Sequence, residues 1–274
     1  MEVSSNKGKY FVHILLIIGS ISMLAPFVWM ILTTFKTYAE SIQVPPLLFP
    51  TQFNWDNYVE VFELLPFLTF AKNTFLVTIG ITVGQLVFCS LAAYAFARIE
   101  FPGRNVLFLL VLSVLMVPSQ VFLLPQYEIM ANLGLLNTLP AVIIPGLFSA
   151  FGTFLLRQFF MGLPKELEEA ARLDGCNHFQ IFWKIMLPLA KPGLIALGIY
   201  TALFAWNNFM WPLIVNSSPD SMVLSVGLAS LQGQYATNYP VLMAGSFLAM
   251  IPMLVLFMFL QKQFIEGIAL TGGK

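Results

Sequence analysis

Residues Gly162 to Pro188 read GLPKELEEAARLDGCNHFQIFWKIMLP, a long polar, charge-dense passage between strongly apolar segments. Pro164 suits the first position of a helix, and Glu166, Glu168 and Glu169 crowd the first turns, where aligned amide dipoles favour negative charge. Gly175 takes the left-handed conformation that ends helices at little steric cost. Asn177 with Gln180 then forms a capping pair that opens a second helix. The spacing predicts two short helices joined at a glycine. From Ile185 onward the chain is apolar again, so the pair lies on a membrane surface.

Composition supports a membrane. The 274 residues are 58% hydrophobic and 9% charged, with mean hydropathy +0.83, whereas a soluble domain carries about 25% charged residues. Formal net charge is zero, which gives no reason to expect nucleic acid. Cys89 lies in an apolar segment and Cys176 in the polar loop, so neither a disulfide framework nor a metal site is implied. The first apolar stretch exceeds a signal-peptide core and no small-residue cleavage site follows it, which predicts a retained span. No period of repetition is found.

A helical span needs roughly 20 apolar residues. Six stretches qualify: Phe11 to Thr33, Asn73 to Ala97, Val106 to Leu124, Leu139 to Phe159, Pro192 to Val215 and Val241 to Leu260. An even number puts both ends on one side. With the N-terminus inside, Lys36 and Lys72 are the two outer cations, and the rest of the 13 Lys and Arg residues fall inside, where such residues accumulate. The Glu169 loop then faces the cytoplasm.

Between the first two spans, a Pro-rich stretch leads into a segment whose Tyr58, Phe62 and Leu65 are spaced for a short helix at the outer interface, a depth that suits Trp55 and Tyr58. Gly80 and Gly84, four apart, let two helix backbones approach closely. Pro118, Pro125, Pro140 and Pro145 cluster around the third and fourth spans, where prolines free carbonyls and bend helices. Such bends suit a bundle that opens, and neighbouring helices also tolerate them in static membrane proteins.

The loop resembles a known family, the inner-membrane permeases of ATP-binding-cassette importers. The family signature is EAA, three residues, G, nine residues, I, one residue, LP. Here Glu169, Ala170 and Ala171 are followed at those spacings by Gly175, Ile185, Leu187 and Pro188, and every fixed position is matched. The passages AYAFARIEFPGR, WNNFMWPLIV and QKQFIEGIALTGGK look like the carbohydrate branch, similar to maltose and maltodextrin permeases. The resemblance implies an all-α membrane protein with six transmembrane helices, the type I importer permease fold, and both termini cytoplasmic. It implies an N-terminal helix and extracytoplasmic segment over 1–69, a permease core over 70–262 and a cytoplasmic tail over 263–274. It further implies a bacterial or archaeal inner membrane and four kinds of partner besides lipid: a homologous permease, two ATPase subunits, an extracytoplasmic solute-binding protein and a sugar. In such a permease the loop is a coupling helix, so Glu169, Ala170, Ala171, Asp174, Gly175, Ile185, Leu187 and Pro188 would engage an ATPase, with both alanines small enough for close approach.

ATP–Mg would be used by those partners and no cofactor bound by this chain. The C-terminal Gly267 to Lys274 carries glycines and a lysine without the spacing of a phosphate-binding loop, and no Ser or Thr follows the lysine. His13 and His178 stand alone, no HExxH occurs, and no span interior contains Asp or Glu, so no catalytic or metal-binding residue is expected. Intramembrane carboxylates commonly couple transporters to ions, so their lack points to energy supplied from outside the bilayer. The alternative is a channel or ion-coupled transporter working alone. In the fifth span, Tyr200, Phe204, Asn207 or Asn208, and Trp211 fall three or four apart on one helical face, where rings meet sugar C–H surfaces and amides meet hydroxyls. The competing reading puts Trp206 and Trp211 in the outer aromatic belt and uses the asparagines to join helices. Whether the solute is a sugar, a related polyol or a glycerol phosphate stays open.

Overall fold

In hydrocarbon every backbone N–H and C=O needs an internal partner, so long apolar runs fold as helices. The computed structural model describes residues 6–233 and 236–272, and no strand occurs among them. The helices are α1 (Asn6–Thr34), α2 (Tyr38–Ser41), α3 (Asp56–Leu64), α4 (Phe67–Arg98), α5 (Arg104–Ser113), α6 (Leu123–Asn132), α7 (Leu139–Ile143) and α8 (Ala150–Gly162). They continue with α9 (Glu166–Leu173), α10 (His178–Ile181), α11 (Leu187–Leu189), α12 (Lys191–Trp206), α13 (Met210–Val215), α14 (Leu224–Ser230) and α15 (Tyr239–Gly272).

By length and apolarity α1, α4 and α15 each contain an unbroken span. Three bent pairs bring the number to six when each is counted once: Arg104–Met116 with Ser119–Asn132, Leu139–Gly146 with Ala150–Gly162, and His178–Leu189 with Lys191–Trp206. The third and fourth spans, around which the prolines are read as bending helices, are bent, and the fifth, read as one stretch, is broken as well. The third turns by 101° at Val117 and Pro118, because proline has no N–H to donate and forces the residue before it to be extended; Val117 has φ −95° and ψ 127°. The fourth bends by 43°. The fifth stops at Trp206 and resumes as α13. At the other end α15 runs on as helix through Gly272, so the tail is an extension of the last span; Gly273 and Lys274 lie outside the described residues.

The chain forms two compact units. In the first, Met1–Phe67 with Gly227–Ile251, the turn after α1 is built around a buried cation. Lys36 is 1% exposed. Its Nζ donates to Leu47 O at 2.6 Å and lies 4.2 Å from the centre of the Trp29 ring. Asn57 donates to Thr34 O and Lys36 O. The expected helix before the second span is α3, though it ends at Leu64, and the Tyr58 hydroxyl pairs with Thr34. Glu40 accepts from Thr51 Oγ1 and from the amides of Thr37 and Thr51, which pull its carboxyl down to about 2.

In the second unit, Leu68–Val226 with Pro252–Lys274, α4 runs through two apolar cores. Val77 and Ile81 join Met130, Val142, Trp211 and Val223 in one. Cys89, Ala93 and Tyr94 join Leu156, Phe160, Ala171, Ile181 and Met186 in the other. Between the cores, α4 meets the broken fourth span at close range. A Cβ on Gly80 would lie 3.0 Å from Ile143 Cδ1, and one on Gly84 would lie 2.3 Å from Leu147 Cδ2 and 3.3 Å from Leu147 Cα. Gln85 donates to Gly146 O and accepts from Thr201 Oγ1, and Cys89 Sγ pairs with the Ser149 backbone. The glycine pair thus serves the close approach read from its spacing. Gly84→Val is expected to cost about 1–3 kcal/mol through overpacking and to lower the melting temperature of the purified protein. Gly19→Val, where a Cβ meets nothing within 4 Å, serves as the neutral control.

Candidate functional site

The loop from Gly162 to Pro188 folds as two short helices joined at a glycine, as its spacing predicts. α9 begins at Glu166 with Lys165 at its N-cap, so Pro164 precedes the helix instead of opening it. Its first turn carries Glu166, Glu168 and Glu169. Gly175 has φ +82°, and the chain closes the helix by Gly175 N–H to Arg172 O and Cys176 N–H to Ala171 O. This paired closure satisfies carbonyls that the helix leaves unpaired. Asn177 and Gln180 form a reciprocal capping box at α10, a device in which losing the N-cap side chain costs about 1 kcal/mol. From Phe182 to Met186 the helix is π-wound before α11.

The two faces of α9 differ. Glu168 and Ala171, three apart, turn inward; Ala171 is 5% exposed and packs in the core around Tyr94 and Phe160. Glu166, Glu169, Ala170 and Leu173, at positions i, i+3, i+4 and i+7, form the outward stripe, where Leu173 is 90% exposed. Asp174, Gly175 and Pro188 are also exposed, while Ile185 and Leu187 are half-buried. The paired role expected for the two alanines is therefore corrected: Ala170 faces out, and Ala171 fills the chain's own core. A polar recess of about 580 Å³ lies beside the helix, with Arg98, Arg104, Lys165, Glu169 and Arg172 among its walls.

Sequence reasoning missed the group that fixes this loop. Arg98 Nε lies 3.1 Å from Glu168 Oε1, with the two side chains 5% and 8% exposed. The available signal was the position of Glu168, three residues before the inward Ala171, which places a carboxylate on the buried face of α9.

The proposed solute face divides. Tyr200 and Phe204 are exposed on α12, stacked at 6.4 Å and 15°, and Phe151 joins Tyr200 at 4.8 Å. Asn207 is the C-cap, with its amide donating back to Leu203 O. Asn208 follows in the turn, and its carbonyl accepts from Ser225 Oγ. Trp211 leaves the face, because the helix stops at Trp206 and Trp211, on α13, is buried in the core with Val77 and Val142. Its Nε1 donates to Ala141 O at 3.0 Å. Trp206 and Trp211 are each 7% exposed, which also removes them from an aromatic belt. Among the described residues no three His, Cys, Asp or Glu side chains gather to hold a metal ion.

Broken apolar helices with a two-faced polar loop between them define a helical membrane protein. The chain belongs to the family described as binding-protein-dependent transport system inner membrane component, whose model matches residues 85–269. It is 41% identical over 252 residues to the arabinooligosaccharides transport system permease protein AraQ of Halalkalibacterium halodurans, covering 91% of this chain and 90% of that protein. It is 35% identical over 266 residues to the sn-glycerol-3-phosphate transport system permease protein UgpE of Yersinia pestis bv. Antiqua, covering 94% and 95%. Its fold matches a chain in the crystal structure of a bacterial ABC transporter involved in the import of the acidic polysaccharide alginate, with a TM-score of 0.83, 25% identity, and 96% and 99% coverage. The chain is an inner-membrane transport subunit, and the reading as a channel or carrier working alone is set aside by that membership.

Ala171→Asp is expected to place a carboxylate in the chain's own core at a cost of several kcal/mol, read as a large fall in melting temperature. Ala170→Asp, on the outward stripe, should melt with the wild type.

Proposed function

We propose that the chain forms half of the translocation path of an ATP-driven importer for a sugar or oligosaccharide, with the α9–α10 loop as its contact with an ATPase subunit. The observation that carries the reading is the outward stripe of α9. A leucine 90% exposed beside Ala170, on a helix held from behind by Ala171 and Glu168, is apolar surface of the kind that a partner covers. The partners are a second, homologous permease, two ATPase subunits that hydrolyse ATP–Mg, and an extracytoplasmic solute-binding protein. The importer permeases named among the relatives support this assembly. Both termini and the loop lie in the cytoplasm, on the strength of the Lys and Arg distribution. Residues 70–262 are the permease core, 1–69 the preceding helix and outer segment, and 263–274 the tail. ATP binding draws the ATPases together, the loops follow, and the path switches from inward to outward access.

Tyr200, Phe204 and Asn207 are the chain's own contribution to the path, with Asn208 at its edge. Exposed rings and amides suit sugar C–H surfaces and hydroxyls. A glycerol phosphate is the second reading, favoured by the relatives of that name. Against it, α12 carries no Lys or Arg after Lys191 to meet a phosphate.

The test is ATP-dependent uptake of labelled arabino-oligosaccharide and glycerol phosphate by vesicles holding the assembled complex. Leu173→Arg is expected to reduce co-purification of the ATPase while the permease melts as wild type; full association with full uptake removes the docking assignment. Tyr200→Ala and Phe204→Ala are each expected to lower uptake roughly tenfold, the effect of losing about 1–2 kcal/mol of ring contact. Trp211→Phe, at a buried ring whose Nε1 donates to Ala141 O, should change melting and leave the half-saturating solute concentration unaltered. The opposite pattern would move the path to α13.

A further inference from the structure

Arg98 and Arg157 entered the sequence reading only as charges that set orientation. In the structure each one holds the end of the other's helix. Arg98 is the last residue of α4, and its guanidinium reaches across to the C-terminal end of α8. Nε donates to Phe160 O at 3.0 Å, and Nη2 donates to Phe160 O and, at 2.5 Å, to Leu163 O. Arg157, on α8, reaches back: Nε donates to Phe96 O at 3.2 Å in the last turn of α4. Its guanidinium lies 4.2 Å from the centre of the Phe108 ring on α5. Carbonyls at a helix C-terminus lack helical partners and carry the negative end of the dipole, so a cation suits them. The planar fork of arginine fixes direction as well as distance, which a lysine would not do.

Glu168 adds α9 to the same cluster. The Arg98 Nε hydrogen is committed to Phe160 O, and Glu168 Oε1 makes no hydrogen bond of its own, so the pair at 3.1 Å is held by charge. A buried ion pair adds little stability against an apolar replacement, but removing one partner strands the other charge. Glu168 and Arg98 therefore resist separation, and α9 cannot shift without pulling Arg98 off Phe160 and Leu163.

We propose that Arg98, Arg157 and Glu168 are positioning residues that form a reciprocal latch, joining the ends of α4 and α8, with α5 through Phe108, to α9 as one mechanical block. Movement of α9 is then passed to the spans instead of being lost in the Leu163–Lys165 connection. This rests on the proposed function, since the movement is the one imposed by the ATPase.

Two measurements test it. In the purified permease with Cys176→Ser, spin labels at Val106→Cys on α5 and Leu173→Cys on α9 are expected to give one narrow distance distribution. Glu168→Gln should broaden it at unchanged helix content, and Glu168→Asp should restore much of it. An equally narrow distribution with Glu168→Gln overturns the latch. In the unlabelled complex, Glu168→Gln and Arg98→Lys are expected to keep hydrolysing ATP while solute moved per ATP falls roughly fivefold or more, the lower range of couplings between sites. An unchanged ratio in both variants also overturns it. If the wild-type complex moves no solute, the proposed function fails, and the distance measurement decides the latch by itself.

Discussion

A carbonyl freed by a break in a helix cannot be left bare in hydrocarbon, and the second unit is arranged to meet that demand. Gln85 serves the Gly146 carbonyl at the bend of the fourth span, Trp211 serves Ala141, and Asn73 serves Asp220 and Met222. Arg98 does the same for Leu163 O past the end of α8, and Arg157 for Phe96 O in the last turn of α4. The polar side chains of these spans are scarce, and these five are spent on backbone. Gly80 and Gly84 make this possible by letting α4 come within reach of the broken segment.

The same economy gives the loop its two faces. Its inner face is closed by the Tyr94, Phe160 and Phe182 rings and by Ala171, while the turn at Gly175 closes the end of α9 and the Asn177–Gln180 box opens α10. The outer stripe of Glu166, Glu169, Ala170 and Leu173 is therefore not needed to hold the chain's own fold. A surface anchored from behind and unspent in front suits a subunit of a larger transport assembly, the class to which the family match assigns the chain.

Local devices were legible in the sequence, because cap chemistry acts within a few residues. Gly175 has its positive φ, Asn177 with Gln180 makes the box, and Gly80 with Gly84 makes the close approach. The spans were legible as apolar lengths, and Pro118 marked a break. The turn of 101° was not legible, since a proline removes one hydrogen bond while packing sets the angle. Spacing put Trp211 on the face of Tyr200 and Phe204 only while the helix was assumed to continue; Asn207 ends it. The inward turn of Ala171 and the pairing of Arg98 with Glu168 depend on residues about 70 positions away on α4, and no local pattern carries that distance.

The order of these partners along the chain matters for how the protein is made. Asn73, Thr74, Gln85, Cys89 and Arg98 all lie on α4, and the backbone groups they meet come 147, 150, 61, 60 and 62 residues later. Synthesis runs from the N-terminus, so α4, an unbroken and strongly apolar helix, is complete before any of them is made. Each of these backbone groups is thus made after the α4 side chain that it meets. In order of synthesis α4 is thus the template, and the broken segments that pack on it follow.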